Sequence, residues 1–241
     1  MTLSFHVTPN VISSETIISL LEHYHLFDSL LREMIIDQAI APIELTANDL
    51  ESCHTEAEGR SLKLQTFKRQ RWQSQVRSRF LERSAQLHQV IYSMIRVPEV
   101  ELADELYFRI QNHEQSFADL AHYSHGTESN TWGLVGPVEL GSYSPEFASI
   151  LAASPPGELI PPLGLDDLFV IVRVEKHIPA QLNDSTCNRL LDELFEHWMI
   201  GEIDQWHYSH SPSTHHQALE EWLQNNEERS LLRQPTGAIA L

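Results

Sequence analysis

The sequence predicts an α+β chain: an all-helical front, a compact mixed domain after it, and a closing helix. Three observations predict it. Apolar residues recur at helical spacing through 14–88, with Phe67, Trp72, Val76 and Phe80 the clearest run. The stretches 91–97 (IYSMIRV) and 168–174 (LFVIVRV) replace that spacing with β-branched and aromatic residues. Pro155-Pro156-Gly157 is a turn that neither a helix nor a central strand can cross. The boundaries that follow are 1–88 for an N-terminal helical module, 89–176 for the α+β domain, 177–204 for a C-terminal helix packing on the front module, and 205–241 for a polar, flexible tail.

In order, an extended start with Pro9 leads to a helix capped by Ser13 or Ser14, with Ile17, Ile18, Leu20, Leu21 and Tyr24 on its apolar side. A second helix carries Leu26, Leu30, Leu31, Met34, Ile35 and Ala39 and ends before Pro42, because the residue before a proline avoids helical geometry. Thr46 with Asp49 opens a third helix that runs to Glu58, where Gly59 breaks it. A long helix then fills 62–88, with Phe67, Trp72, Val76, Phe80, Leu81 and Leu87 inward. After the strand at 91–97 and its stop at Pro98, a helix over 99–112 buries Leu102, Ala103, Leu106, Tyr107 and Ile110.

The stretch 116–138, SFADLAHYSHGTESNTWGLVGPV, reads as an amphipathic helix ending at Ser124, a polar surface loop, and a strand entered through Gly133 and Gly136. Ser144 caps the next helix, with Pro145 in the first turn and Glu146 placed to meet the helix dipole. Phe147, Ile150 and Leu151 are its buried side, strands follow at 159–163 and 168–174, and Asp184 caps a last helix carrying Leu190, Leu191, Leu194, Phe195 and Trp198. In the tail, 217–232 has the pattern of one more amphipathic helix.

Composition is ordinary for a folded protein, 41% hydrophobic and 21% charged, and the net charge of -18 argues against nucleic acid as a partner. Eight of the sixteen basic residues fall between Arg60 and Arg83, which makes that helix a solvated ionic face or a protein-docking surface. Cys53 and Cys187 are far apart with no metal spacing around them, as in a reducing compartment. The first residues lack the basic and apolar regions of a signal peptide, and no apolar run is long enough to span a membrane, so the expected location is cytoplasmic.

The stretch 116–138 and its flanks also carry a family resemblance. Ser93-Met94-Ile95, Phe117, Leu120-Ala121, Tyr123-Ser124, Gly133, Gly136, Phe147, Gly157-Glu158-Leu159, Pro162 and the 169–174 strand resemble parvulins, the small peptidyl-prolyl isomerases, with almost no gaps. The chain to about residue 204 looks like the parvulin-like isomerases of cyanobacteria, which share the architecture of SurA and PrsA type foldases. The resemblance implies a parvulin (FKBP-like) α+β domain inserted into a chaperone-like helical module that binds clients.

It also implies where the chemistry should sit. The two histidines and the Cys or Asp usual in the family fall at Met94, Val170 and Gly126, so all three are changed here. Phe147 keeps the family's pocket residue and Tyr143 stands where a Met or Leu is usual. Turning an X–Pro bond needs no nucleophile, metal or cofactor, only a site that binds the twisted bond better than the planar forms. An apolar pocket of Met94, Tyr143, Phe147 and Val170 with Leu134, Leu165 and Gly126, edged by Trp132, is the candidate proline site. Tyr92, on the same strand face as Met94, is a second hydrogen-bonding candidate.

No catalytic residue is assigned. Two readings stay open: an isomerase and folding factor for client polypeptides, or a chaperone or adaptor that binds proline-containing segments without catalysis. The histidines, His122 with His125 and His207, His210, His215 and His216 in the tail, lack the ligand spacing of a metal site. No metal is expected.

Overall fold

The structure is a computed structural model that describes residues 5–7, 10–12, 14–47, 49 and 53–209. Ser13 as a cap, the 217–232 helix and His210, His215 and His216 lie outside the described residues. The α+β architecture expected from the sequence is present, and the chain divides into two compact units, Met1–Ser74 with Asn188–Leu241, and Gln75–Cys187.

In the first unit the strands β1 (Phe5–Val7) and β2 (Asn10–Ile12) pair antiparallel. Helices α1 (Ser14–His23), α2 (Phe27–Ile40) and α3 (Glu56–Trp72) follow, and most of α8 (Asp184–Ser209) belongs with them. Phe67, Trp72, Phe195 and Trp198 form an aromatic cluster with ring centroids 5.4–6.2 Å apart. Such edge and tilted contacts add about 0.5–1.5 kcal/mol per pair to the area buried.

Three residues of the basic stretch are engaged within this unit. Arg60 pairs with Glu33 and Asp37, Lys68 bonds Asp192 at 2.9 Å and lies over the Phe195 ring, and Arg71 lies over Phe67, Trp72 and Trp198.

Two expectations fail here. The long helix is two, because a turn over 73–75 separates α3 from α4 (Val76–Leu87), and Leu81, expected inward, is exposed. Trp72 and Val76 are four residues apart and both buried, so the apolar spacing runs unbroken through a turn that Ser74 and its neighbouring glutamines tolerate. Nor does Gly59 end a helix. Thr55 and Glu58 close a capping box that starts α3 at Glu56, so Gly59 sits in the first turn. Thr46 and Asp49 do bond each other as a cap should.

The second unit opens with α4 and then builds a four-stranded antiparallel sheet from β3 (Gln89–Val97), β4 (Leu134–Glu139), β5 (Leu159–Leu165) and β6 (Leu168–Ile178), in the order β4-β3-β6-β5. Helices α5 (Val100–Gln111) and α6 (Phe117–Leu120) follow β3, and α7 (Pro145–Ala153) follows β4. Side chains alternate between the sheet's faces. On one face Val90, Tyr92, Met94, Val170, Val172 and Val174 bury against Phe147 and Leu151 of α7. On the other, Ile95, Val97 and Ile171 bury against Ala103, Leu106 and Ile110 of α5 and Phe117 and Leu120 of α6.

Two glycines are required by close approach. At Gly136, with φ +111°, a Cβ would stand 2.5 Å from the Val90 carbonyl oxygen, and at Gly133, with φ +82°, it would stand 3.3 Å from that of Met94. These let β4 leave the loop pressed against β3.

At the ends of β3 and β6, His88 Nε2 lies 3.1 Å from His177 Nδ1, and His177 Nε2 lies 2.9 Å from the Ser154 carbonyl. A carbonyl only accepts, so His177 Nε2–H donates to it, and in a neutral His177 that leaves Nδ1 to accept from His88. Burial, with help from the neighbouring His177, lowers the His88 pKa.

Candidate functional site

The α7 face of the sheet brings most of the candidate residues together. Ser144 caps α7 through the Phe147 backbone N–H, and Pro145 at the first turn fixes the helix start, which aims Phe147 down onto the strands. Phe147 meets Tyr92 at 6.1 Å and Tyr143 at 5.4 Å between ring centroids, both edge-on, and the Tyr92 and Tyr143 hydroxyls are 2.8 Å apart. Burial, then the bond to Tyr143, pushes the Tyr92 phenol far above its usual range, so it stays neutral.

Met94 and Val170 are buried beneath these rings, and Tyr143, Leu163 and Leu165 pack at the half-buried edge of the cluster. The floor is therefore filled by its own side chains. Val135, Tyr143, Ala148, Ile160, Leu163 and Leu165 present partly open apolar surface there.

Two residues assigned to the pocket do not join it. Leu134 pairs with Ser93 across β3 and β4, which puts it on the opposite face from Met94, and it is 48% exposed. Trp132, 73% exposed and with φ +58°, lines a hollow on that same opposite face with Leu134, Phe117 and Arg173. Its position beside Gly133 in sequence does not carry it round the edge strand.

Gly126 is near the cluster, but it has a different meaning from a lost catalytic side chain. A Cβ at 126 would stand 2.0 Å from Arg96 Nη2 and 2.1 Å from Glu128 Oε2. The volume is taken by an ion pair: Arg96 Nε donates to Glu128 Oε1 at 2.7 Å and Nη2 to Oε2 at 2.6 Å. Ser124 Oγ donates to Oε1 at 2.6 Å and accepts the Arg96 backbone N–H at 2.9 Å. Burial alone would raise the Glu128 carboxyl, but these bonds outweigh it and hold the group below its usual range.

The loop is also strapped to β3 by backbone bonds from His125 to the Arg96 carbonyl and from Met94 to the Gly133 carbonyl.

Sequence reasoning missed this pair. The usable signal was parity: Arg96 is two residues beyond Met94 and so faces the core side, where a buried cation demands a partner, and Glu128 is the loop's one acid. His122 Nδ1 bonds the Asp119 carbonyl, and no cluster of three or more metal-ligating side chains occurs among the described residues.

Residues 98–176 match the family model described as Rotamase, PPIC-type PPIase domain. The chain carries a PPIC-type rotamase domain. Tyr143, Phe147, Gly126 and Val170 lie inside the match, while β3 with Tyr92, Met94 and Arg96 precedes it. No curated protein is similar in sequence.

Among solved structures, the peptidylprolyl isomerase PrsA of Bacillus anthracis is similar at 16% identity over 82% of this chain and 97% of its own, with a TM-score of 0.41. A PrsA from Bacillus cereus is similar at 17% identity over 92% and 90%, also at 0.41. A structure from Campylobacter jejuni, titled for the SurA-like chaperones PEB4 and Cj1289, is similar at 13% identity over the full length of both chains, at 0.38.

Proposed function

We propose that the rotamase domain is a peptidyl-prolyl cis/trans isomerase acting on X–Pro bonds of client polypeptides, and that the whole chain serves as a folding factor in the cytoplasm. The observation that carries this reading is the rotamase match over 98–176 falling on a sheet face where Tyr143 and Phe147 pack edge-on over an apolar floor. The barrier to the reaction is amide resonance, about 18–20 kcal/mol. An aromatic grip on the prolyl ring at the edge of a dry cluster favours the twisted bond without acid, base or metal.

A client segment also has a place to rest in the first unit, where Pro42, Phe67, Arg71, Trp198 and Trp206 line a hollow of about 520 Å³. Cys53 and Cys187 are not joined in a disulfide, as in a reducing compartment. A protein partner docking on the basic stretch 60–83 would meet Arg60, Lys68 and Arg71 already engaged.

The second reading, a domain that binds prolyl segments without turning them, is favoured by the closed floor, since Met94, Phe147 and Val170 are all buried. Exchange spectroscopy on Xaa-Pro tetrapeptides separates the two. The useful variant is Tyr143→Ala, because Tyr143 is half-buried whereas Phe147 belongs to the core. Acceleration by the wild type that falls at least tenfold in Tyr143→Ala supports the isomerase. Chemical-shift changes without acceleration support the binding domain.

A further inference from the structure

The Arg96–Glu128 pair is lopsided: the Glu128 side chain is 2% exposed and that of Arg96 32%. Both carboxylate oxygens are occupied, whereas Arg96 uses only Nε and Nη2, and Nη1 makes no hydrogen bond among the described residues. Arg96 also shares a strand face with Tyr92 and Met94, pairs across the sheet with Val170, and is close enough to the Tyr92 phenol for each to influence the other's charge. The free edge of a fixed, planar donor therefore stands beside the apolar cluster. Glycine at 126 leaves room for it, because any larger residue would displace the pair.

We propose that Arg96 is a substrate-binding residue of the prolyl site, donating from Nη1 to the carbonyl oxygen of the residue that precedes proline, with Glu128 as the positioning residue that fixes and neutralises it. The inference rests on the prolyl-binding reading above. The anchored carbonyl stays in place while the prolyl half of the bond turns.

Neutralisation matters to the reaction. A bare guanidinium pulls charge onto the carbonyl oxygen, and that charge belongs to the planar, resonance-stabilised amide, so a strong donor would hold the bond flat. With Glu128 bonded behind it, the guanidinium orients the carbonyl while strengthening the resonance less. The same carboxylate sets the substrate class. The pair has no net charge, so it favours the neutral peptide group over a carboxylate or phosphate on the preceding residue, which Glu128 would oppose.

The test uses the full chain with Ala-Pro and Glu-Pro tetrapeptides, reading affinity by chemical-shift titration and turnover by exchange spectroscopy. Glu128→Gln keeps the shape of the pair and frees its positive charge. It should tighten Glu-Pro at least fivefold more than Ala-Pro, and the exchange rate per bound Ala-Pro should fall. A structural role alone would move both peptides together, and that result overturns the proposal.

Arg96→Leu combined with Glu128→Leu removes both charges without stranding either, which protects the fold. It should weaken every peptide about tenfold. If the wild type binds and the double variant binds equally well, the role of Arg96 is overturned and the prolyl site stands. If the wild type neither binds nor accelerates any peptide, the prolyl reading fails and this inference with it.

Discussion

The two faces of the sheet in the second unit each carry an arginine–glutamate pair, and they differ in what covers the acid. On the α7 face the 124–133 loop seals Glu128, which spreads three side-chain bonds over both its oxygens. On the other face Arg173 and Ser93 bring all their bonds to Oε1 of Glu175, and the two side chains of that pair are 33% and 28% exposed. Water can replace a lost partner at Glu175 and cannot at Glu128. The same two residue types thus make a rigid fixture on one face and an ordinary half-solvated pair on the other.

The comparison orders the expected effects. The apolar cores beneath both pairs should be alike: Phe147→Ala on one face and Phe117→Ala on the other should each cost about 3–5 kcal/mol, read by denaturant unfolding with amide-exchange protection of the β3 and β6 strands. A large inequality between them would mean that the cores, not the pairs, distinguish the faces. Next, Arg96→Ala strands a buried carboxylate and should cost about 3 kcal/mol, while Arg173→Ala should cost less than about 1 kcal/mol. Equal losses would mean that the two pairs are equally solvated.

Acidity gives a third, smaller separation. The Glu128 pKa is lowered in the folded state, so its stabilisation is complete above its ordinary value of 4.5 and is lost as pH falls through the lower, folded value. Glu128→Gln should flatten that acid limb. His88 acts higher up the scale. Its folded pKa is also lowered, so the neutral form is favoured, and stability declines as pH drops below 6.5 and levels off beneath the folded value. His88→Gln should remove that decline and leave the Glu128 limb in place. Last, Trp132→Ala should change stability by no more than about 0.5 kcal/mol, since Trp132 stands in solvent.

Much of the second unit was legible because its strands and helices carry strong local signals. The 168–174 run and the Ser144-Pro145 helix start both appear where those residues require them. The turn at 73–75 was not legible, since burial of both Trp72 and Val76 keeps helical spacing intact across it. The site was half legible. Met94, Tyr143, Phe147, Leu165 and Val170 share a cluster, but matching residues by family position placed Leu134 and Trp132 with them, when strand parity sends Leu134 to the other face. The ion pair escaped because its partners are 32 positions apart and meet only once the loop folds back on β3.

The division of the chain has a consequence for the order of events on the ribosome. The second unit is one continuous stretch, whereas the first is completed only when α8 has been made: the Lys68–Asp192 bond joins residues 124 positions apart, and Arg32–Glu196 joins residues 164 apart. Closing so long a loop is entropically slow unless the intervening chain is already compact. At roughly 5–20 residues per second, the interval between synthesis of α3 and of Trp198 lasts on the order of ten seconds. Through that delay the rings of Phe67 and Trp72 wait without Phe195 and Trp198, the partners that will cover them.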